Sequence, residues 1–204
     1  MKLFERFDKA FLINLPERVD RLKAFKEEVE RYDLGEFEIV EGIKVNEKID
    51  GIPSGAIGLI KTNLRIFTEL AGDSETILIM EDDCSFTDKV LNIDEYFEKL
   101  PSDWDMLYMG GNHGAHVGLH APIPINDHVV RLHSTRTTHF VAIKKKLFNE
   151  IIDYLRNPSL VIDVFYTTLQ KKYMVYSFTP AIAKQRKGYS NIEERDVDYD
   201  YLIK

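Results

Sequence analysis

Three consecutive acids, Glu81, Asp82 and Asp83, follow directly on Thr76-Ile-Leu-Ile-Met80, the most apolar run in the chain. Carboxylates beside a buried strand are costly unless something positive meets them. Side chains alternate along a strand, so Glu81 and Asp83 are expected on one side and Asp82 on the other. The outer pair could then share a hard, oxygen-seeking cation such as Mn²⁺ or Mg²⁺. Such a cation bridges phosphate oxygens and stabilises charge on a departing group. The plainer alternative is a solvated acidic turn with Asp83 capping the next segment.

Arg18 and Arg21 sit just beyond the first apolar run, residues 10–15. A guanidinium offers several donors in one plane and suits a diphosphate, although an exposed helical face explains the same residues. Asp163 lies between apolar neighbours in Val-Ile-Asp-Val-Phe. An acid in that setting suits a general base, or a helix N-cap. His113, His116 and His120 crowd one segment, but the glycines at 110, 111, 114 and 118 break any helix that would align them for zinc. A lid or acceptor-facing loop fits that segment better.

The elements that must place these residues alternate between strand and helix. Residues 10–15 are a buried strand, and Pro16 and Glu17 suit the start of a helix. Leu22, Phe25, Val29 and Tyr32 recur at helical spacing before Gly35. Strand 37–43, loop 44–55, a helix beginning near Ser54, strand 76–80, a short helix 94–100 and strand 104–109 follow. Residues 111–128 read as irregular and flexible. Strands 129–132 and 139–143, helices 145–156 and 162–172 and strand 174–178 precede a polar tail at about 186–204. This alternation predicts an α/β domain over 1–204, with a mostly parallel central sheet covered by helices. Ligands of such sheets bind beyond the carboxyl ends of the strands, which gathers Asn14–Arg21, Glu81–Asp83 and Gly110–Gly111 around one crevice.

Across 204 residues, 44% are apolar and 30% charged, enough for a full core. The net charge of −7 disfavours a protein that neutralises many nucleic-acid phosphates. A single cysteine, Cys84, suits a reducing compartment. The first fifteen residues scatter charges where a signal peptide needs an unbroken apolar core, and no apolar run reaches membrane-spanning length. A cytoplasmic location is therefore expected.

Taken in order, the motifs FLINLPERVDRL, GAIGLIKTNLRIF, ILIMEDDC, WDMLYMGG, THFVAIKK, VIDVF and PAIAKQRKGYSNI resemble glycosyltransferase family 25, which includes lipooligosaccharide and collagen galactosyltransferases. The agreement runs from residue 11 to 192. The resemblance implies a nucleotide-sugar-binding fold of the GT-A type. It implies an inverting, metal-dependent transfer of a hexose, galactose or glucose, from a UDP-sugar to a hydroxyl of a glycan or hydroxylated protein, with a nucleic-acid acceptor left open. It assigns the metal to Glu81 and Asp83 and the base to Asp163. Donor contacts fall to Asn14, Arg18, Arg21, Thr62, Asn63, Asp82, Gln185 and Ser190. The chain departs from the family pattern at Leu59, Thr62, Asn63 and Phe67, where the family tends to show Cys, Ser, His and Trp, and at Asn191 in place of Asp. Asn63 hydrogen-bonds but does not titrate. A nucleotidyltransferase and a non-catalytic nucleotide-sugar-binding module are the competing readings.

Overall fold

The computed structural model describes residues 1–46, 49, 51–111, 113, 120–190 and 195–198, with the backbone alone at 189, 190, 196 and 197. An eight-stranded sheet organises them. Its strands are β1 (Lys9–Asn14), β2 (Glu38–Glu41), β3 (Thr76–Glu81), β5 (Met106–Tyr108), β6 (Ile123–Asn126), β7 (Val129–Arg131), β8 (Phe140–Lys144) and β9 (Val175–Phe178), in the order β2-β1-β3-β8-β5-β9-β7-β6. Both β2 and β3 run parallel to β1, and β9 runs parallel to β5, whereas β8 lies antiparallel between β3 and β5. With β7 also reversed, six of the eight strands point the same way, so the sheet is mostly parallel.

Alternation along β3 divides the core. Ile77 and Ile79 face helices α2 (Ser54–Arg65), α4 (Phe148–Arg156) and α5 (Ile162–Lys172) through Ile57, Ile60, Ile151, Leu155, Phe165 and Leu169. Leu78 and Met80 face α1 (Val19–Tyr32) and α3 (Ile93–Lys99) through Phe25 and Tyr96. Each of these side chains buries enough apolar surface to contribute about 1.5–3 kcal/mol, which fixes both layers of helices against the sheet.

Several boundaries differ from the sequence expectation. Helix α1 begins at Val19, because Pro16 and Glu17 form a turn whose Leu15 carbonyl accepts from the Arg18 amide at 2.8 Å. It ends at Asp33, whose left-handed backbone (φ 51°) supplies the terminal cap ahead of Gly35. Residues 123–126, expected to be irregular, form edge strand β6 because Pro124 and Asn126 still find register with β7 around a bulge. The expected polar tail is partly sheet. β10 (Ala183–Gln185) pairs antiparallel with β4 (Cys84–Phe86), and β11 (Gly188–Ser190) pairs with β12 (Arg195–Val197). His116 and Asn191 lie outside the described residues, as does most of the segment 111–119.

Two glycines permit close approach. A Cβ at Gly58 would stand 2.2 Å from the Ile43 carbonyl oxygen, so α2 packs directly on the chain leaving β2. A Cβ at Gly110 would stand 1.9 Å from the Ala183 carbonyl oxygen, so the strand after β9 crosses flush against the end of β5. The second crossing delivers Gln185 to the acidic triplet.

Candidate active site

β3 ends at Glu81, and Asp82 and Asp83 form the turn into β4. The strand alternation expected for the triplet therefore stops at its first member, and the side chains separate through their partners. Thr138, two residues before β8, donates its hydroxyl to Glu81 Oε1 at 2.6 Å. Asp82 turns toward the first loop, where Asn14 Nδ2 donates to Oδ2 and Arg21 Nη1 to Oδ1, both at 2.8 Å. Asp83 Oδ2 accepts from Gln185 Nε2 at 3.0 Å and lies 3.5 Å from Arg21 Nη1. Arg21 thus neutralises two of the three acids in a largely dry setting, where ion pairing counts for more than at a surface.

Asp83 Oδ1 is buried and has no hydrogen-bond partner among the described residues. Glu81, though it keeps an edge on the cavity, is pushed up to about 8, first by burial and then by the Asp83 charge, against the opposing pull of the Thr138 hydrogen bond. Asp82 is also raised by burial, with Arg21 opposing. A bare buried oxygen beside a second carboxylate that resists ionising is the electrostatic condition that a hard divalent cation relieves. Among the described residues there is no cluster of three or more His, Cys, Asp or Glu with metal-holding geometry. Glu81 and Asp83 would therefore supply two ligands and leave the other positions to substrate oxygens and water, the arrangement usual for Mg²⁺ with phosphates.

Beside the triplet opens a cavity of about 300 Å³, at the lower end of the range for small-molecule sites. Its lining combines the polar groups Arg21, Glu81, Asp82, Asp83, Gln185 and Lys44 with the apolar Ile43, Val45, Leu59 and the Gly58 backbone. It therefore suits a small ligand that carries both apolar and charged groups.

The remaining predicted residues scatter around this centre. Thr62 lines the cavity, and its hydroxyl also donates to the Gly58 carbonyl and accepts from the Ile43 amide, both at 2.8 Å. Asn63 is buried one residue on, donates to the Leu59 carbonyl and faces a smaller space with Glu81, Thr138 and Tyr166. Asn14 orients Asp82 from below, and Arg18 forks onto Asp20 at 3.1 Å through two nitrogens. Ser190 lies in β11 with its side chain outside the description. Asp163 is in the first turn of α5, where the N-cap is Val161, and its charge adds to the pressure on Glu81.

Sequence reasoning missed the strip Thr135–His139, which borders this acidic centre. Gln170, fully buried on α5, accepts from the Thr135 amide at 2.8 Å and donates to its carbonyl at 2.7 Å. His113 Nδ1 meets the Thr135 hydroxyl at 2.8 Å, and burial pushes both His113 and His139 down to about 4. His120 is tied to the same strip through Ser134, its amide donating to Oγ at 2.7 Å. The side-by-side hydroxyls of Thr135, Thr137 and Thr138 were the available signal, but it carries meaning only once β8 is placed antiparallel beside β3.

No family model matches the sequence, and none of the curated proteins is significantly similar to it. Solved structures do match. A glycosyltransferase involved in the glycosylation of the major capsid of PBCV-1 superposes with a TM-score of 0.55 at 13% identity, over 91% of this chain and 95% of that one. A Drosophila galactosyltransferase solved with manganese, UDP-Gal and xylobiose gives 0.48 at 10% identity, over 93% and 74%. A 4-diphosphocytidyl-2C-methyl-D-erythritol synthase from Anaerococcus prevotii gives 0.45 at 16%, over 86% and 71%. The PBCV-1 match gives the fold as α/β of the GT-A type, with its acidic turn here at the carboxyl edge of β3. Among the described residues no helix is long and apolar enough to cross a membrane.

Proposed function

We propose that this chain transfers a hexose, galactose or glucose, from a UDP-sugar to an acceptor hydroxyl, using Mn²⁺ or Mg²⁺ and inverting the anomeric centre. The observation that carries this reading is the bare, buried Oδ1 of Asp83 next to the crowded Glu81 carboxylate, both at the wall of a cavity of about 300 Å³. The resemblance to glycosyltransferase family 25 supports the hexose, the uridine and the inversion. A glycan or a hydroxylated protein is the acceptor we favour, since a net charge of −7 is poorly suited to nucleic acid. A cytoplasmic site of action accords with the lone, buried Cys84.

The base and ribose would rest against Ile43, Val45 and Leu59, with the diphosphate at Arg21 and Gln185. The metal, when bound between Glu81 and Asp83, would offset the charge that gathers on the leaving diphosphate. Asp163 takes the proton from the acceptor hydroxyl, and the acceptor oxygen bonds to the anomeric carbon. The bond from that carbon to the diphosphate oxygen breaks with its electron pair leaving on UDP. The competing nucleotidyltransferase reading usually requires a Gly-rich first loop around a triphosphate, whereas Pro16 and Glu17 occupy that place here.

Calorimetric titration separates the readings. UDP-galactose and UDP-glucose should bind with Mn²⁺ and far more weakly in EDTA, with UTP and CTP no tighter than UDP. Tight metal-dependent binding of a triphosphate in preference to every UDP-sugar would sink the proposal.

A further inference from the structure

Of the two non-glycine residues described with positive φ, Asp33 ends a helix, where a left-handed cap is ordinary. Thr137 ends none, and its φ is 75°. A β-branched residue holds that backbone only under constraint, and such strain collects where a site needs a fixed direction. Two contacts supply the constraint. The Thr137 amide points at Asp163 Oδ2 from 3.5 Å, and its hydroxyl lies 3.1 Å from His139 Nδ1. The first contact is long, as hydrogen bonds to catalytic groups often are before substrate binds.

The neighbouring residues are fixed on either side. Gln170 clamps Thr135 through both backbone groups, and Thr138 is bonded to Glu81. His139 is buried, its Nε2 has no hydrogen-bond partner among the described residues, and that nitrogen faces Gly110, where a Cβ would stand 3.2 Å away. A leftover buried nitrogen costs stability unless a ligand or a rearranged partner uses it. Glycine at 137 would remove the backbone strain and keep the amide, so the threonine's distinguishing contribution is its hydroxyl.

We infer that Thr137 is a positioning residue of the transfer reaction: its strained amide aims Asp163 at the acceptor hydroxyl, and its hydroxyl fixes the ring and proton position of the buried His139 behind it. This rests on the functional reading above. Asp163 is the group that touches the acceptor, and Thr137 acts through it.

The test compares Thr137→Ser, Thr137→Ala and Thr137→Gly in the whole chain. Thr137→Gly should melt about 2–4 °C higher, yet release UDP from the UDP-hexose with a kcat roughly tenfold or more below native and an unchanged donor KM. Thr137→Ser should restore kcat. Long-range ¹⁵N spectra should show the native His139 ring pattern in Thr137→Ser and a changed one in Thr137→Ala and Thr137→Gly. A native kcat in Thr137→Gly, or an unchanged His139 pattern in Thr137→Ala, overturns the inference. If the native chain turns over no donor, the functional reading fails separately, and the His139 spectra still decide whether Thr137 holds that ring.

Discussion

Gln185 donates its side-chain amide to Oδ2 of Asp83 at 3.0 Å across 102 positions of sequence, while the other oxygen of the same carboxylate is left bare. The contact exists because β10 lies antiparallel on β4 with Gln185 opposite Cys84, the residue after Asp83. One oxygen is held so that the other is free to bind. Removing the holder should loosen the carboxylate without opening the core. Gln185→Ala is expected to weaken Mn²⁺ binding roughly tenfold, the size typical of losing an outer partner of a metal ligand, with little change in melting temperature. Titration calorimetry with Mn²⁺ alone checks this. Unchanged affinity would mean that Asp83 is oriented by Arg21 alone.

Glu81 sets a pH dependence. Its folded value is raised to about 8 from an ordinary 4.5, chiefly by burial. The folded chain therefore keeps a proton that the unfolded chain loses, and stability present below pH 4.5 is lost as pH rises toward 8. In EDTA, the native chain should lose of order 2 kcal/mol between pH 6.5 and 8 relative to Glu81→Gln. Mn²⁺ displaces that proton, so its affinity should climb by up to tenfold per pH unit over the same range. Denaturant melts in EDTA at each pH measure the first effect, and parallel curves for native and Glu81→Gln would contradict it.

The two buried imidazoles act with the opposite sign. Folding depresses His113 and His139 to about 4. They cost nothing above pH 6.5, and stability is lost as pH falls from 6.5 toward 4, because only the unfolded chain takes up the protons. His139→Gln should flatten the acid limb of a stability-against-pH curve relative to the native chain. An acid limb as steep as native would place the acid sensitivity elsewhere.

Gly58 tests the cavity wall. An added methyl would fall 2.2 Å from the Ile43 carbonyl oxygen, so α2 must shift away from Ile43, which lines the cavity with it. Gly58→Ala is expected to cost about 1–3 kcal/mol and to weaken UDP binding more than Mn²⁺ binding. Equal loss of both ligands would show that the helix does not border the nucleotide.

The elements that carry the site were largely legible from patterns local in sequence. Thr76–Met80, the most apolar run, read as the central strand, and its position put the acids at a carboxyl edge. The spacing of Leu22, Phe25, Val29 and Tyr32 set the inner face of α1. The antiparallel entry of β8 was not legible, since alternation along a strand says nothing of its direction, and Thr138 and His139 became site residues only through that entry. The turn at Asp82–Asp83 was legible only as the alternative to a continuing strand, for a related reason. A turn reverses the side-chain alternation, and its signal here is the pairing of Cys84 with Gln185, far away in sequence. Arg18 looked equivalent to Arg21 by composition. One helical turn separates a fork onto Asp20 from an ion pair with Asp82, and only coordinates tell them apart.

The most direct test of the central claim is UDP release from a panel of nucleotide sugars, with Mn²⁺ or EDTA, by the native chain and by Asp83→Ala. The account predicts release from a UDP-hexose that is abolished by EDTA and lowered at least a hundredfold by the substitution, about the loss of 2.7 kcal/mol of transition-state stabilisation. Release that persists in EDTA and in Asp83→Ala would contradict it, because the acidic turn would then have no part in the chemistry.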